Sequence, residues 1–349
     1  MSKVKVAVAL SGGVDSSTVS ALLLDQGYDV FGVTMEVGPD PEDHAVTVGA
    51  RATAELLGIP FYSFDFRELF SRSIIAPFVE TYQKGQTPNP CVVCNPLIKF
   101  GALLEAALKL GADYLATGHY ARVEQVKERY LLKRGADLQN DQSYVLYGLS
   151  QAQLAHILFP LGAYSKEKTR ELAQGYNLPN AEKSDSQEIC FIPRGNYRDF
   201  LCANLSQPLQ PGAIVDVDGR VLGEHRGIAL YTIGQRKGLG IAAGIPLYVV
   251  DLDPERNEVV VGPKEAVCGH SFLADGINLI SIPNLQEPME VEAKIRYNAG
   301  CAKATIEPVE RGVIRTVFAQ PQFAITPGQA VVWYQGDVVV GGGRIFKRD

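Results

Sequence analysis

The stretch KVKVAVALSGGVDSSTVSALLLDQGY, residues 3–28, decides how the first half of this chain folds. KVKVAVAL is short and rich in β-branched residues, as a buried strand is. Ser11, Gly12 and Gly13 then permit a tight turn with backbone N–H groups facing inward, and Val14 onward has helical spacing that stops at Gly27. A helix N-terminus, with its partial positive charge, is thereby set at the end of a strand, which makes a phosphate cradle. The cradle lacks the lysine of G-x-x-x-x-G-K-S/T, which grips terminal phosphates. A Gly/Ser loop without it suits pyrophosphate as a leaving group after attack at the α-phosphate. A bare SGG is equally a helix N-cap; the continuation Asp15-Ser16-Ser17 makes SGGVDS specific for the nucleotide reading.

Working outward, DVFGVTM (29–35), a helix near 44–57, IPFYSFDF (59–66), a helix near 98–110 and ADYLATGHY (112–120) alternate strand with helix. The alternation predicts an α/β fold, a doubly wound parallel sheet with ligands at the carboxyl ends of its strands. Met35 and Gly118 stand at two such ends and are candidates to line a nucleotide pocket. LFPLGAYSKEKTRELAQGYNLP reads as a turn, a helix and a Gly-containing stop. From about residue 206 the texture changes: QPLQPG is a linker, and DVDGRV (216–221) is a hairpin candidate through Asp218-Gly219. MEVEAKIRY, KATIEPV, VIRTVFA and QAVVWYQGDVVV alternate as in a small closed β barrel. The expected domains are 1–205 for nucleotide chemistry with a helical segment, 206–268 for a small, mainly β centre, and 269–349 for the barrel.

The 349 residues are 46% hydrophobic and carry a formal charge of −6. This balance argues against wholesale nucleic-acid binding and leaves room for a few focused contacts. YTIGQRKGLGI (231–241) mixes aromatic, basic and glycine residues, as an RNA-tracking surface does and as an ordinary glycine-rich β loop also does. No run of about 18 apolar residues is read, nor a signal peptide, so the expectation is a cytoplasmic protein without a membrane partner. Cysteines 91, 94, 190, 202, 268 and 301 are too few and irregular for a disulfide framework. In a reducing compartment, the pair in NPCVVCNPLIKF (89–100) points to metal binding or thiol chemistry.

SGGVDS resembles the pyrophosphate-binding loop of the ATP pyrophosphatases, a group with GMP synthetase, argininosuccinate synthetase, tRNA-lysidine synthetase and tRNA thiolation enzymes. TPNPCVVCNPLIKFG (87–101), ATGHYAR (116–122), NDQSYVLYGLS (140–150), KSDSQEICFI (183–192), GEHRGIALYTIGQRKGLGI (223–241), KIRYN (294–298) and TPGQAVVWYQGDVVVGGGRI (326–345) narrow it. Together they resemble the bacterial tRNA-specific 2-thiouridylase (MnmA/TrmU) family across nearly the whole chain. The resemblance implies an adenine nucleotide α-hydrolase-like domain and ATP-dependent replacement of O2 of the anticodon wobble uridine by sulfur. A uracil carbonyl is a poor electrophile, so adenylation would turn its oxygen into a leaving group and expel pyrophosphate. Sulfur would then arrive as a thiolate, persulfide or metal-bound sulfide.

By the same resemblance, ATP falls to Ala9, Leu10, Ser11, Gly12, Gly13, Val14, Asp15, Ser16 and Ser17 with Met35 and Gly118. Mg²⁺ is expected beside the triphosphate, assisted by Asp15. Cys190 matches a persulfide carrier, and Cys94 the partner that resolves the intermediate through a transient disulfide. Asn89, Pro90 and Cys91 match the segment that touches the target base, its prolines fixing a loop. His119, Asn140, Asp141, Gln142, Arg296, Tyr297 and Gln329 match tRNA-contact positions. Implied partners are tRNAs for lysine, glutamate and glutamine, and a sulfur donor such as a cysteine desulfurase or sulfur relay protein.

Cys91 departs from the family pattern, which has aspartate there. Cys91, Cys94 and Cys190 could together hold a [4Fe-4S] cluster one thiolate short, with an iron open to sulfide. Persulfide chemistry without a cluster stands beside it; zinc fits less well for want of a fourth ligand. Two rival functions remain: another ATP-pyrophosphatase ligase or amidating enzyme, which needs no cysteines, and a non-enzymatic iron–sulfur RNA-binding module, which forms neither AMP nor pyrophosphate.

Overall fold

The computed structural model describes residues 3–38, 41–182, 189–192, 197–205, 207–241, 243–310 and 312–348, with backbone only at 41–45. The KSDSQE half of the motif at 183–192 therefore lies outside the described residues. The chain forms two compact units, one of residues 1–74, 91–187 and 336–340, the other of 75–90, 188–335 and 341–349.

In the first unit, β1 (Lys5–Ala9) leads into helix α1 (Val14–Asp25), β2 (Asp29–Glu36), helix α2 (Pro41–Leu57) and β3 (Phe61–Asp65). β4 (Tyr114–Ala116), a hairpin of β5 (Ala121–Val126) and β6 (Arg129–Arg134), and β7 (Ile157–Leu158) follow. The sheet order is β3-β2-β1-β4-β7, every pair parallel. Val6, Val8, Leu10, Val19, Leu23 and Val30 are buried between sheet and helices, so the Val/Ala run of β1 is covered on both faces. The chain leaves β1 toward β2 and β3 and later returns on the other side as β4. The switch point lies between β1 and β4, and their carboxyl ends carry Ser11 and Gly118.

One expectation needs correction. The cysteines do not sit in a proline-fixed loop before a helix at 98; the helix begins at Pro90 and runs to Lys109. Proline is at home in a first helical turn, because its missing N–H is one the turn leaves unused. Pro96, further in, cannot donate backward, and the helix widens to π geometry over Asn95–Ala102. Gln153 Nε2 donates to the carbonyls of Pro96 (2.8 Å) and Phe100 (2.9 Å), while Asn95 Nδ2 donates to Val145 O (2.9 Å). By length and composition, Pro90–Lys109 is also apolar enough to cross a membrane, contrary to the sequence reading. Ile98, Phe100, Leu103 and Ala107 are buried in the unit, so it is a core helix.

In the second unit, β8 (Gly212–Asp216), β9 (Val221–His225), β10 (Tyr248–Asp253) and β11 (Glu258–Gly262) form a sheet in the order β10-β11-β8-β9. The β8–β9 turn is the one expected: Gly219 adopts φ +83°, and Asp216 Oδ1 accepts from the amides of Asp218 and Arg220. β12 (Cys268–Leu279), β13 (Met289–Lys294), β14 (Ala302–Glu310), β15 (Val313–Phe323), β16 (Ala330–Gln335) and β17 (Val338–Arg348) make a six-stranded antiparallel barrel closed by β12 on β17. Trp333 fills its interior and satisfies its indole N–H on Thr316 Oγ1 at 3.1 Å.

Candidate active site

The loop after β1 is built around close backbone approach. Gly12 adopts φ +68°, and a Cβ there would meet Gly49 at 3.2 Å. Ser16 Oγ accepts from Ser11 N (3.2 Å), and Ser17 Oγ donates to Gly13 O (2.9 Å). Gly13, the Ncap of α1, makes no side-chain cap, so capping does not consume the helix's first amides. A Cβ on Gly118 would stand 2.7 Å from Asp15 Cβ and 3.1 Å from Ser16 N. Glycine at 118 is thus what lets the end of β4 lie against the loop. Ala9 ends β1, Leu10 and Val14 are buried beneath the turn, and Met35 is half-buried near the end of β2.

Asp15 is held from two sides. Lys166 Nζ lies 2.8 Å from both of its carboxylate oxygens, and the Tyr120 hydroxyl donates to Oδ1 at 2.8 Å. Asp15 is the loop's only carboxylate. Asn180 ties down the loop's far side, Nδ2 donating to Ser17 Oγ at 2.8 Å; its buried Oδ1 has no hydrogen-bond partner.

Cys91 and Cys94 stand at i and i+3 in the first turn of their helix, on one face. Cys91 is exposed as a side chain, yet the protein around its sulfur desolvates the thiol and pushes its pKa up, with the Lys99 ammonium opposing. His119 follows Gly118. Burial, and then the Lys99 charge, hold it well below the usual histidine range. Lys99 Nζ lies 3.5 Å from His119 Nε2, and Thr117 Oγ1 lies 2.7 Å from Nδ1. An ammonium only donates, so Nε2 accepts and the neutral ring carries its proton on Nδ1, toward Thr117.

Within this unit the helix offers an iron–sulfur cluster two thiols. No group of three or more His, Cys, Asp or Glu suited to a metal is found among the described residues.

Asn140, Asp141 and Gln142 work inside the same unit. Asp141 is buried and accepts from Gly135 N (3.0 Å), Ser143 N (3.1 Å) and Ser143 Oγ (2.8 Å). Gln142 Oε1 accepts from Tyr120 N, and Asn140 Nδ2 donates to Asp137. Lys166, Tyr120, Asn180, Lys99 and Gln153 escaped the sequence reading. Tyr120, Lys99 and Lys166 lie inside quoted stretches, ATGHYAR, TPNPCVVCNPLIKFG and LFPLGAYSKEKTRELAQGYNLP, but their partners, like those of Asn180 and Gln153, stand 20 to 163 residues away.

In the second unit, Cys190 is exposed on a turn held by buried Ile192 and by Phe191, edge-on to Phe78 at 5.3 Å. Gln329 Nε2 donates to the carbonyls of Thr87 (2.9 Å) and Pro88 (3.3 Å), and so anchors the segment leading to half-buried Asn89 and buried Pro90. Arg296 donates to Ile233 O at 2.9 Å and to Thr326 Oγ1. Tyr297 is exposed, with Lys294 Nζ 5.6 Å from its ring centre. Among the described residues, surface hollows beside Arg67 and beside Leu239 are remote in sequence from the SGGVDS loop and the cysteines.

Three family models match: a tRNA methyl transferase HUP domain over residues 4–194, a tRNA methyl transferase PRC-barrel domain over 198–263, and an aminomethyltransferase beta-barrel domain over 269–345. The tRNA-specific 2-thiouridylase of Carboxydothermus hydrogenoformans is 51% identical over 99% of this chain and 98% of its own. That of Moorella thermoacetica is 52% identical over 97% of this chain and 98% of its own. Among solved structures, the U34-tRNA thiolase NcsA of Methanococcus maripaludis with its [4Fe-4S] cluster is 18% identical, with TM-score 0.38, over 58% of this chain and 65% of that one. At that level the likeness says nothing about ligands.

Proposed function

This chain belongs to the tRNA-specific 2-thiouridylase family, and from that membership we propose how its residues divide the reaction. The enzyme uses ATP to replace O2 of the tRNA wobble uridine with sulfur. The observation that carries the assignment of residues is the SGGVDS loop at the β1/β4 switch point, in the same compact unit as the Cys91–Cys94 helix.

In this reading the triphosphate lies on Ser11–Ser17 against the first turn of α1, with Ala9, Leu10, Met35 and Gly118 around the nucleoside. Uridine O2 attacks the α-phosphate and pyrophosphate leaves. The terminal sulfur of a persulfide on Cys190 then attacks C2, and AMP departs with the former O2. The Cys94 thiolate attacks Cys190 Sγ, and the thiouridine sulfur takes the electron pair of the broken S–S bond. The Cys94–Cys190 disulfide that forms returns to two thiols at the expense of an external dithiol, and a sulfur donor such as a cysteine desulfurase or relay protein reloads Cys190. In this reading Cys91, whose thiol pKa is pushed up by burial, is given no covalent part. Asn89, Pro90 and Cys91 face the target base, and His119, Asn140, Gln142, Tyr297 and Gln329 belong to the tRNA-side surface. Tyrosine at 297 is suited to base stacking. The tRNAs are those for lysine, glutamate and glutamine, and the reaction is cytoplasmic.

The test pairs iron and acid-labile sulfide measurements on anaerobically purified protein with thiolation of tRNA, for wild type, Cys91→Asp, Cys94→Ala and Cys190→Ala. The expected result is an iron-free active wild type, an active Cys91→Asp and two inactive alanine variants. About four irons per chain, lost together with activity in Cys91→Asp, would replace the persulfide course with a cluster held by Cys91, Cys94 and Cys190. Full turnover in either alanine variant would remove that cysteine from sulfur transfer.

A further inference from the structure

The loop that should hold a triphosphate contains no lysine, yet pyrophosphate leaving from the α-phosphate gathers negative charge that a positioned cation would stabilise. The fold brings one in from far along the chain. Lys166 opens the helix Lys166–Gly175, and its ammonium sits on Asp15 in the first turn of α1. The residue is fixed at both ends. Its backbone N–H donates to Asp137 Oδ2 at 3.0 Å, while Ser165 caps the helix by accepting from Lys168 N at 3.1 Å. At the other end the ammonium lies 5.5 Å from the ring centre of Tyr120, whose hydroxyl holds Asp15.

Gly118 lies close against Asp15, so that a Cβ there would stand 2.7 Å from Asp15 Cβ. The lysine side chain is 14% exposed, so its charge acts through little water. A largely buried ion pair contributes little net stability, because desolvation offsets its attraction, so the arrangement calls for a role other than tying two helices together. The pair also stands where α1 presents its partial positive end.

We propose that Lys166 is the catalytic cation for pyrophosphate departure, docked by Asp15 and Tyr120 until the β- and γ-phosphate oxygens take its ammonium. Asp15 and Tyr120 are positioning residues. No covalent bond to Lys166 is made or broken; its three N–H donors exchange carboxylate for phosphate while the stem stays on the tyrosine ring. The inference rests on the proposed placement of ATP on Ser11–Ser17.

The experiment measures binding of ATP, AMP and inorganic pyrophosphate by calorimetry, and single-turnover pyrophosphate release with tRNA, for wild type, Lys166→Met, Lys166→Arg and Tyr120→Phe in the full chain. Losing a charge-assisted contact to the outer phosphates should weaken ATP and pyrophosphate about 10- to 100-fold, with AMP unchanged. Release should slow about 10²- to 10³-fold in Lys166→Met, and Lys166→Arg should recover part of it. Tyr120→Phe should slow release and leave AMP binding intact. A purely structural lysine would lower affinity for ATP and AMP alike, and that result, or wild-type behaviour in Lys166→Met, overturns the proposal. Should Lys166→Met fail to fold, Lys166→Arg and Tyr120→Phe carry the same ATP-to-AMP comparison. If wild type releases no pyrophosphate with tRNA, the functional reading falls, while the binding ratios still judge Lys166.

Discussion

His119 shows how a single residue's charge is set by its surroundings rather than by its type. Burial disfavours the imidazolium, and Lys99 adds like-charge repulsion, so the folded ring stays neutral well below the ordinary histidine pKa. Below about pH 6.5 the unfolded chain binds a proton here that the folded chain does not. The histidine's contribution to stability is therefore complete above that pH and falls away as the pH drops toward the folded value. Urea unfolding of wild type and His119→Gln at pH 7.5, 6.5 and 5.5 should show the wild type's advantage shrinking with acid; curves that stay parallel would place the proton elsewhere. Gly118 is a second such case. Gly118→Ala adds a methyl 2.7 Å from Asp15 Cβ, where no rotamer offers relief, and moves the loop. Its ATP affinity should fall at least about tenfold, the scale of 1.4 kcal/mol, with equilibrium dialysis as the measure.

At the scale of elements, the helix Pro90–Lys109 explains both what was legible in the sequence and what was not. β1 and β2 announced themselves because a buried parallel strand must be a short run of Val, Ala and Phe, and barrel strands such as β13 and β15 because one face is wet and the other dry. Pro90 and Pro96 instead read as helix breakers, and only the three-dimensional fold shows one serving as an N-terminal residue and the other relieved by a π segment. What relieves it is Gln153, 57 residues from Pro96 and invisible to any local pattern. The same limit hid Lys166, which meets Asp15 across 151 residues. Gln153→Glu keeps the carbonyl-type acceptor that caps Ser150 but loses the donor to Pro96 and Phe100. It should cost about 1–3 kcal/mol in urea unfolding. Faster amide exchange over residues 97–103 should accompany it; unchanged exchange would mean the carbonyls are satisfied without the glutamine.

For the molecule as a whole, the formal charge of −6 sets the terms on which it binds tRNA. A protein that repels a polyanion at long range must win at a few contacts, and each phosphate neutralised releases counterions, so affinity falls steeply with salt at those contacts alone. On the barrel, exposed Tyr297 and the Lys294 ammonium above its ring pair a stacking surface with a phosphate-seeking cation. Arg296, by contrast, spends an Nη2 on Ile233 and Thr326, so its replacement should disturb the fold as well as the interface. Lys294→Ala should therefore reduce the slope of log K against log salt by about one, and Tyr297→Ala should weaken tRNA binding by about 1–3 kcal/mol without changing that slope. Filter binding at several salt concentrations separates the two effects, because a cation contributes to the slope and an aromatic ring does not. If both variants bind tRNA as wild type does at every salt concentration, this face of the barrel is not where the polyanion lands, and the focused contacts must be sought on the YTIGQRKGLGI loop instead.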